Sequence, residues 1–352
     1  LALRERDEAM NFTSDNAYGA SPEILAALAA TNAGAAGSYG ADTVTTTLKM
    51  CMARLFEHDV AVFPVVTGTA ANSLALATLC PPHGAILCHA LAHIAVDECG
   101  APEFFSHGAR LVTIDGRNAK LDPDGIENAL KRFPVGNVHS QQPKVVSLTQ
   151  ATEAGSCYSL DEIAAIARVA RKHNLKLHMD GARFANALVH LGCSPANSTW
   201  RAGIDALSFG ATKNGALGAE AVVFFNAQDA GDFEYRRKKA GHLVSKMRFV
   251  SAQLVSYLED GRWLATAKRA NKLAQTLAQG LATLDGAELA YPVEANAVFV
   301  TMPDETIARL RAAGARFLDW TPSSGGRTLI RLVCSFATPE DDVAKFLEFA
   351  RP

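Results

Sequence analysis

The chain has 352 residues and a formal net charge of −2, from 34 Lys and Arg against 36 Asp and Glu. That length suits two domains, and 49% hydrophobic with 20% charged residues is a globular rather than a disordered composition. No overall basic field exists to hold nucleic acid or an anionic membrane, since the longest basic run, 236–239, is short and stands beside Asp232 and Glu234.

The first eight residues, LALRERDE, are charged and lack the apolar core of a signal peptide. No run of 18 or more apolar residues offers a membrane span. Seven cysteines without a C-x-x-C spacing exclude zinc-ribbon and thioredoxin readings. Scattered cysteines in a chain this long suit a reducing compartment, so the expected location is the cytoplasm.

Ser21-Pro22-Glu23 opens the first helix with an N-cap, a proline at the first helical position and an early acid. Apolar runs follow at 60–66, 85–88, 111–114, 144–148, 175–179, 204–209 and 221–225. They show little polar alternation, as strands buried on both faces do. Ser159 and Glu162 form a capping box for a helix that places Leu160, Ile163, Ile166 and Ala170 on one face. Alternating strand and helix predict a layered α/β domain over 1–245, the N-terminal segment included. Beyond it, long Ala/Leu-rich helical stretches through 269–284, strands at 297–302 and 328–333, and a last helix at 339–349 predict a smaller α+β domain over 246–352.

The dinucleotide G-x-G-x-x-G, the P-loop and H-E-x-x-H are all absent. Three other features carry the chemistry. Thr67-Gly68-Thr69-Ala70-Ala71-Asn72 follows a strand and opens a helix, where small residues and free N–H groups suit an anion; an ordinary strand-to-helix turn reads the same. Asp180 ends the strand 175–179 and precedes Gly181-Ala182-Arg183, the place where α/β folds put ligands; a helix cap paired with a surface arginine explains it equally well. Lys213 lies in Gly210-Ala211-Thr212-Lys213-Asn214-Gly215 between two apolar strands. That setting suits a buried amine able to form a Schiff base, although a lysine on an exposed turn is common. In this order the three fit a pyridoxal phosphate site: phosphate cradle, carboxylate for the pyridine nitrogen, lysine.

At this point the sequence resembles the low-specificity L-threonine aldolases, particularly the bacterial branch that also cleaves phenylserine. The segments HMDGARFANAL (178–188), SFGATKNG (208–215) and AGHLVSKMRF (240–249) carry the likeness, and FTSDN (12–16) resembles the family's N-terminal segment. The resemblance implies the pyridoxal-phosphate fold type I, with a mainly parallel seven-stranded sheet in the larger domain. It implies cleavage of L-threonine, L-allo-threonine and phenylserine to glycine and an aldehyde, and the reverse addition. Small-molecule amino acids and aldehydes are then the partners, in a homo-oligomer, a dimer of dimers with shared sites. Racemisation or β-elimination on the same scaffold, and a catalytically silent scaffold, are the alternatives.

The likeness also implies residue roles. Lys213 matches the Schiff-base lysine and Asp180 the partner of the pyridinium nitrogen. Gly68, Thr69 and Thr212 match the phosphate cradle, and His93 the histidine stacked on the ring. Ser14, Arg183 and Arg331 match the site for the substrate carboxylate, which an arginine can grip with two parallel bonds. Arg248 resembles a basic residue that reaches a neighbouring subunit's phosphate, and Tyr39 one near the entrance. One departure stands out. Relatives carry Glu-Asn-Thr-His after the fourth strand, whereas this chain has Thr149-Gln150-Ala151-Thr152-Glu153, with Thr152 expected in place of the histidine. A threonine is a poor base, so the β-hydroxyl proton is expected to pass to His93, water or a carboxylate such as Glu98.

Overall fold

The seven apolar runs form one sheet. Its strands are β1 (Ala61–Val65), β2 (Gly84–His89), β3 (Arg110–Ile114), β4 (Gln142–Thr149), β5 (Lys176–Gly181), β6 (Ala206–Gly210) and β7 (Glu220–Phe224), in the spatial order β1-β7-β6-β5-β4-β2-β3. β3, β2, β4, β5 and β6 pair in parallel, and β7 alone runs against both its neighbours. The structure is a computed structural model and describes residues 9–351. The charged stretch 1–8, on which the signal-peptide argument rests, lies outside the described residues. No helix among them is long and apolar enough to cross a membrane.

Every residue of β2, β6 and β7 is buried, which explains why these runs lack polar alternation. The helix Gly68–Leu79 packs against the sheet, and its residues 70–77 are all buried, Asn72 and Ser73 included. The helix Leu160–Lys172 is capped as its sequence predicts: Ser159 N–H donates to Glu162 Oε2 at 2.7 Å, and Glu162 N–H to Ser159 Oγ at 3.2 Å. It buries Ile163, Ile166 and Ala170, and leaves Leu160 half-buried.

The second sheet contains β8 (Glu288–Leu289), β9 (Ala297–Pro303), β10 (Leu318–Asp319) and β11 (Arg327–Val333), in the order β10-β11-β9-β8 and antiparallel throughout. The two-residue strands β8 and β10 are too short to leave a sequence pattern. The helix Arg262–Leu281 spans both apolar cores: Trp263 and Ala267 belong to the larger, while Leu273, Leu277 and Leu281 belong to the smaller. Met247, Val250, Leu254 and Tyr257 also pack in the larger core, past residue 245, where the division was expected. The N-terminal segment, expected with the larger unit, packs instead with the smaller. Met10 and Phe12 are buried there, and Phe12 meets Phe346 edge-on at 5.2 Å. Hydrogen bonds with the backbone of Arg316 and Val333 hold this segment along β11, which brings residues 13–15 up to the large sheet's strand ends.

Gly210, at the end of β6, passes over the turn that follows β5. A Cβ there would stand 2.6 Å from the Ala182 oxygen and 2.7 Å from its Cα, both backbone atoms that cannot yield cheaply. Gly210→Ala should therefore cost about 1–3 kcal/mol by overpacking. Calorimetry should show a lowered Tm, whereas Gly19→Ala, where an added Cβ meets nothing within 4 Å, should leave Tm unchanged.

Candidate active site

Parallel sheets gather loop residues at the carboxyl ends of their strands, and there ligands bind. Here those ends supply Asp180 from β5, the turn after β4, the loop after β2 that carries His93, and the residues just past β6. Between them lies a cleft of ≈ 370 Å³ lined by Gly68, Thr69, His93, Thr212, Lys213 and Glu220, among others. It adjoins an inner recess of ≈ 50 Å³ lined by Asn72, Glu98, Glu153, Asp180, Arg183 and the same lysine and histidine. A larger cavity of ≈ 570 Å³ lies elsewhere, beside the helices Pro22–Thr31, Thr43–Phe56 and Met247–Leu258. Its ionisable lining is Glu23, Glu259 and Arg262, without a lysine to form a Schiff base.

Lys213 sits on a three-residue turn, Thr212–Asn214, between β6 and β7. Asn214 anchors that turn by donating to Tyr257 Oη and to the Trp263 carbonyl, each at 2.8 Å. Ala211 N–H donates to Glu220 Oε2 at 3.0 Å, and Thr212 Oγ1 accepts from Ala219 N–H at 3.2 Å. The turn is thus fixed from below, while the Lys213 Nζ itself has no hydrogen bond or ion pair among the described residues. Burial first, and the Arg183 charge second, lower its pKa.

Asp180 is buried, with Oδ1 accepting from Ala182 N–H at 3.0 Å and Oδ2 from Asn72 Nδ2 at 2.9 Å. The same amide nitrogen donates to Glu98 Oε1 at 2.9 Å, and His93 Nδ1 meets that oxygen at 2.9 Å. One chain of contacts therefore runs Asp180, Asn72, Glu98, His93. Its bond to Glu98 raises the His93 pKa, and burial raises that of Glu98. The N-terminus of the helix Gly68–Leu79 opens onto the cleft, with Thr67 capping Ala70 N–H at 3.2 Å, so an anion finds free N–H groups there.

Arg183 grips Asp15 in a two-bond fork, Nε to Oδ2 at 2.7 Å and Nη2 to Oδ1 at 3.0 Å, which leaves Nη1 outside the pair. Burial alone would raise Asp15, but the Arg183 charge beside it holds the carboxyl below its usual range. Asn296 adds a third bond to Asp15, at 3.0 Å. Arg331 stacks over Trp320 at 5.4 Å and donates from Nη2 to the Thr13 carbonyl at 3.2 Å, while its buried Nε has no partner.

The sequence-derived candidates thus separate. Gly68, Thr69, His93, Asp180, Arg183, Thr212 and Lys213 line the cavity. Ser14 caps its own short turn by accepting from Asn16 N–H at 3.1 Å. Tyr39 is exposed beneath the Lys238 amine, and Arg248 donates to the Gly34 carbonyl; neither lines the cavity of its own chain. Thr152 is a correction. It is buried in the turn after β4, its Oγ1 2.8 Å from Ser156 Oγ and 3.3 Å from the Asn118 carbonyl. Glu153, one residue on, takes the place in the recess expected for Thr152, because the tight turn 152–156 faces the threonine inward and the glutamate toward Lys213. Asn72, Glu153 and Glu220 were not singled out from sequence. Two of them left a trace, since an amide in an otherwise apolar helix and a carboxyl heading an apolar strand both need a reason to be buried.

With this geometry in view, comparison with known proteins is direct. The beta-eliminating lyase family matches residues 11–305. A low specificity L-threonine aldolase of Pseudomonas sp. (strain NCIMB 10558) is 48% identical over 95% of both chains. One from Pseudomonas aeruginosa is 46% identical over 98% of this chain and 97% of its own. A Leishmania major threonine aldolase structure superposes with a TM-score of 0.91 at 28% identity, covering 97% of this chain and 98% of that one. The chain belongs to the beta-eliminating lyase family.

Glu220 offers a test of the site's electrostatics. Burial pushes its pKa from 4.5 up to about 7, against the lowering effect of its bonds to Thr212 and Ala211. Over that range the folded chain keeps a proton that the unfolded chain has lost. The stability this adds is complete below about pH 4.5 and disappears as pH rises through about 7. Glu220→Gln should gain on the parent chain by on the order of 2 kcal/mol between about pH 5 and about pH 8. Urea unfolding at each pH measures the difference, and a flat difference would show that Glu220 ionises normally.

Proposed function

We propose that this chain is a low-specificity L-threonine aldolase that uses pyridoxal 5'-phosphate. It cleaves L-threonine, L-allo-threonine and phenylserine to glycine and an aldehyde, and it joins them in reverse. The observation that carries this is Lys213, half-buried in the cleft with no hydrogen bond or ion pair to its amine among the described residues, sharing one cavity with Asp180 and a helix N-terminus. The 48% identity to a Pseudomonas low specificity L-threonine aldolase supports the substrate class.

The residues present suit the cofactor. Gly68, Thr69 and Thr212 would hold its phosphate at the helix N-terminus. Asp180, aligned by Asn72 and Ala182, would keep the ring nitrogen protonated. His93 would lie against the ring, and Lys213 would hold the cofactor covalently, its lowered pKa favouring the neutral amine that such a bond requires. When bound, the cofactor supplies an electron sink for the pair released at Cα. The chain's own work is to bind and align. Arg331, with Nε free, and the remaining Nη1 of Arg183 would fix the substrate carboxylate, with Ser14 beside them. Anchoring the carboxylate and the nitrogen fixes the orientation of Cα, and that orientation chooses between its two remaining bonds, Cα–Cβ and Cα–H.

Tyr39 and Arg248 do not line their own chain's cavity. We read them as completing the site of a neighbour in a homo-oligomer, a dimer of dimers. The seven free cysteines support a cytoplasmic location.

Incubation with L-threonine and with L-phenylserine should yield glycine and the matching aldehyde, whereas a racemase would return the D-amino acid without aldehyde. Lys213→Ala should abolish turnover, and borohydride reduction followed by peptide mapping should place the pyridoxyl adduct on Lys213; an adduct on another lysine would overturn the assignment. Asp180→Asn should retain cofactor and lose orders of magnitude in kcat. Truncating one partner of a buried charge-assisted contact costs about 2–5 kcal/mol. Arg331→Ala should therefore raise KM for amino acids strongly, with Arg331→Lys only partly restoring it; an unchanged KM would move the carboxylate site elsewhere.

A further inference from the structure

Retro-aldol cleavage needs a group to take the proton of the substrate's β-hydroxyl, and most of the cavity's ionisable groups are already engaged. His93 already shares its Nδ1 with Glu98 at 2.9 Å, and that bond raises its pKa. Glu98 Oε1 already serves both His93 and Asn72. Both Asp180 oxygens are occupied. Thr152 is turned away into its own turn.

Glu153 differs. Its Oε1 accepts from the His93 backbone N–H at 2.7 Å, which fixes the carboxyl in place. Its Oε2 is buried and has no hydrogen-bond partner. The residue lines the inner recess together with Lys213, Asp180 and Arg183.

Resting on the aldolase reading above, we propose that Glu153 is a catalytic residue, the acid–base that exchanges a proton with the β-hydroxyl. As the Cα–Cβ bond breaks, Oε2 takes the hydroxyl proton and the O–H pair becomes the second bond of the aldehyde carbonyl. The Cα–Cβ pair stays on Cα, for which the cofactor would supply the electron sink. In synthesis the same carboxylic acid returns its proton to the aldehyde oxygen. Around Glu153 stand Asp180 from β5, Arg183 at the start of the following helix, Lys213 from the turn after β6, His93 and Glu98 from the loop after β2, and Cys88 at the end of β2. Burial first and the Asp180 charge second push Glu153 up to about 7, so both its forms are present at neutral pH.

Glu153→Gln keeps an oxygen for the His93 N–H and removes the base. In the holoenzyme it should lower kcat for L-threonine and L-phenylserine by about 10²–10⁴-fold and abolish the pH-profile limb near 7. Exchange of glycine's α-hydrogen with solvent deuterium needs the cofactor site but no β-hydroxyl base, so it should change little. Glu153→Asp, which keeps a carboxyl, should recover part of the lost kcat. Infrared difference titration of the holoenzymes should show a carboxyl component near pH 7 that is present in the parent and missing from Glu153→Gln. Retained kcat, equal loss of glycine exchange, no recovery with Asp, or identical infrared titrations would each overturn the assignment. A parent enzyme that exchanges glycine yet releases no aldehyde would instead overturn the aldolase reading.

Discussion

A desolvated lysine amine with no hydrogen bond or ion pair among the described residues is the constraint on which the rest of the site depends. Desolvation penalises the charged form of Lys213, and the nearby Arg183 charge adds to that penalty. Such an amine is reactive only if its backbone cannot retreat to water. The three-residue turn is therefore fixed on every side: Asn214 is tied to Tyr257 and Trp263, Ala211 to Glu220, and Thr212 to Ala219. These anchors belong to β7, the residue just before it, and the helices Met247–Leu258 and Arg262–Leu281, so the packing of the larger core around Trp263 also positions the amine.

The carboxylates are arranged by the same logic of scarce donors. Asn72 uses one amide nitrogen to hold both Asp180 and Glu98, and Glu98 in turn holds His93. Burial raises the pKa of a carboxyl, and N–H bonds to it lower it. In Glu153 and Glu220 burial outweighs the backbone N–H bond that each accepts and pushes both up to about 7.

The N-terminal segment ties the two units together at this point. Phe12 is buried in the smaller core, and three residues later Asp15 closes a fork with Arg183 from the larger unit. Arg331, on β11 of the smaller sheet, reaches the carbonyl of Thr13 in the same segment. The arginines proposed for the substrate carboxylate therefore come from different units, and their separation is set by how a short N-terminal strip lies along β11.

Much of this was legible in the residues alone. Apolar runs without alternation specify strands buried on both faces, and all seven join one sheet. Capping residues set helix starts at Pro22 and Leu160. The order of Gly68-Thr69, Asp180 and Lys213 pointed to a cofactor site, because each lies at a strand end where its chemistry is visible locally, and the structure gathers all of them around one cavity. What sequence could not decide is which way neighbouring side chains face. Thr152 and Glu153 are adjacent, and only the tight turn closed by Thr152 and Ser156 sends one into the core and the other toward Lys213. Likewise Asp15 and Arg183, or Asn72 and Glu98, are far apart or unremarkable in the chain. They become partners only because the sheet brings separate strand ends and loops within hydrogen-bonding distance, a long-range consequence of packing that no local pattern encodes.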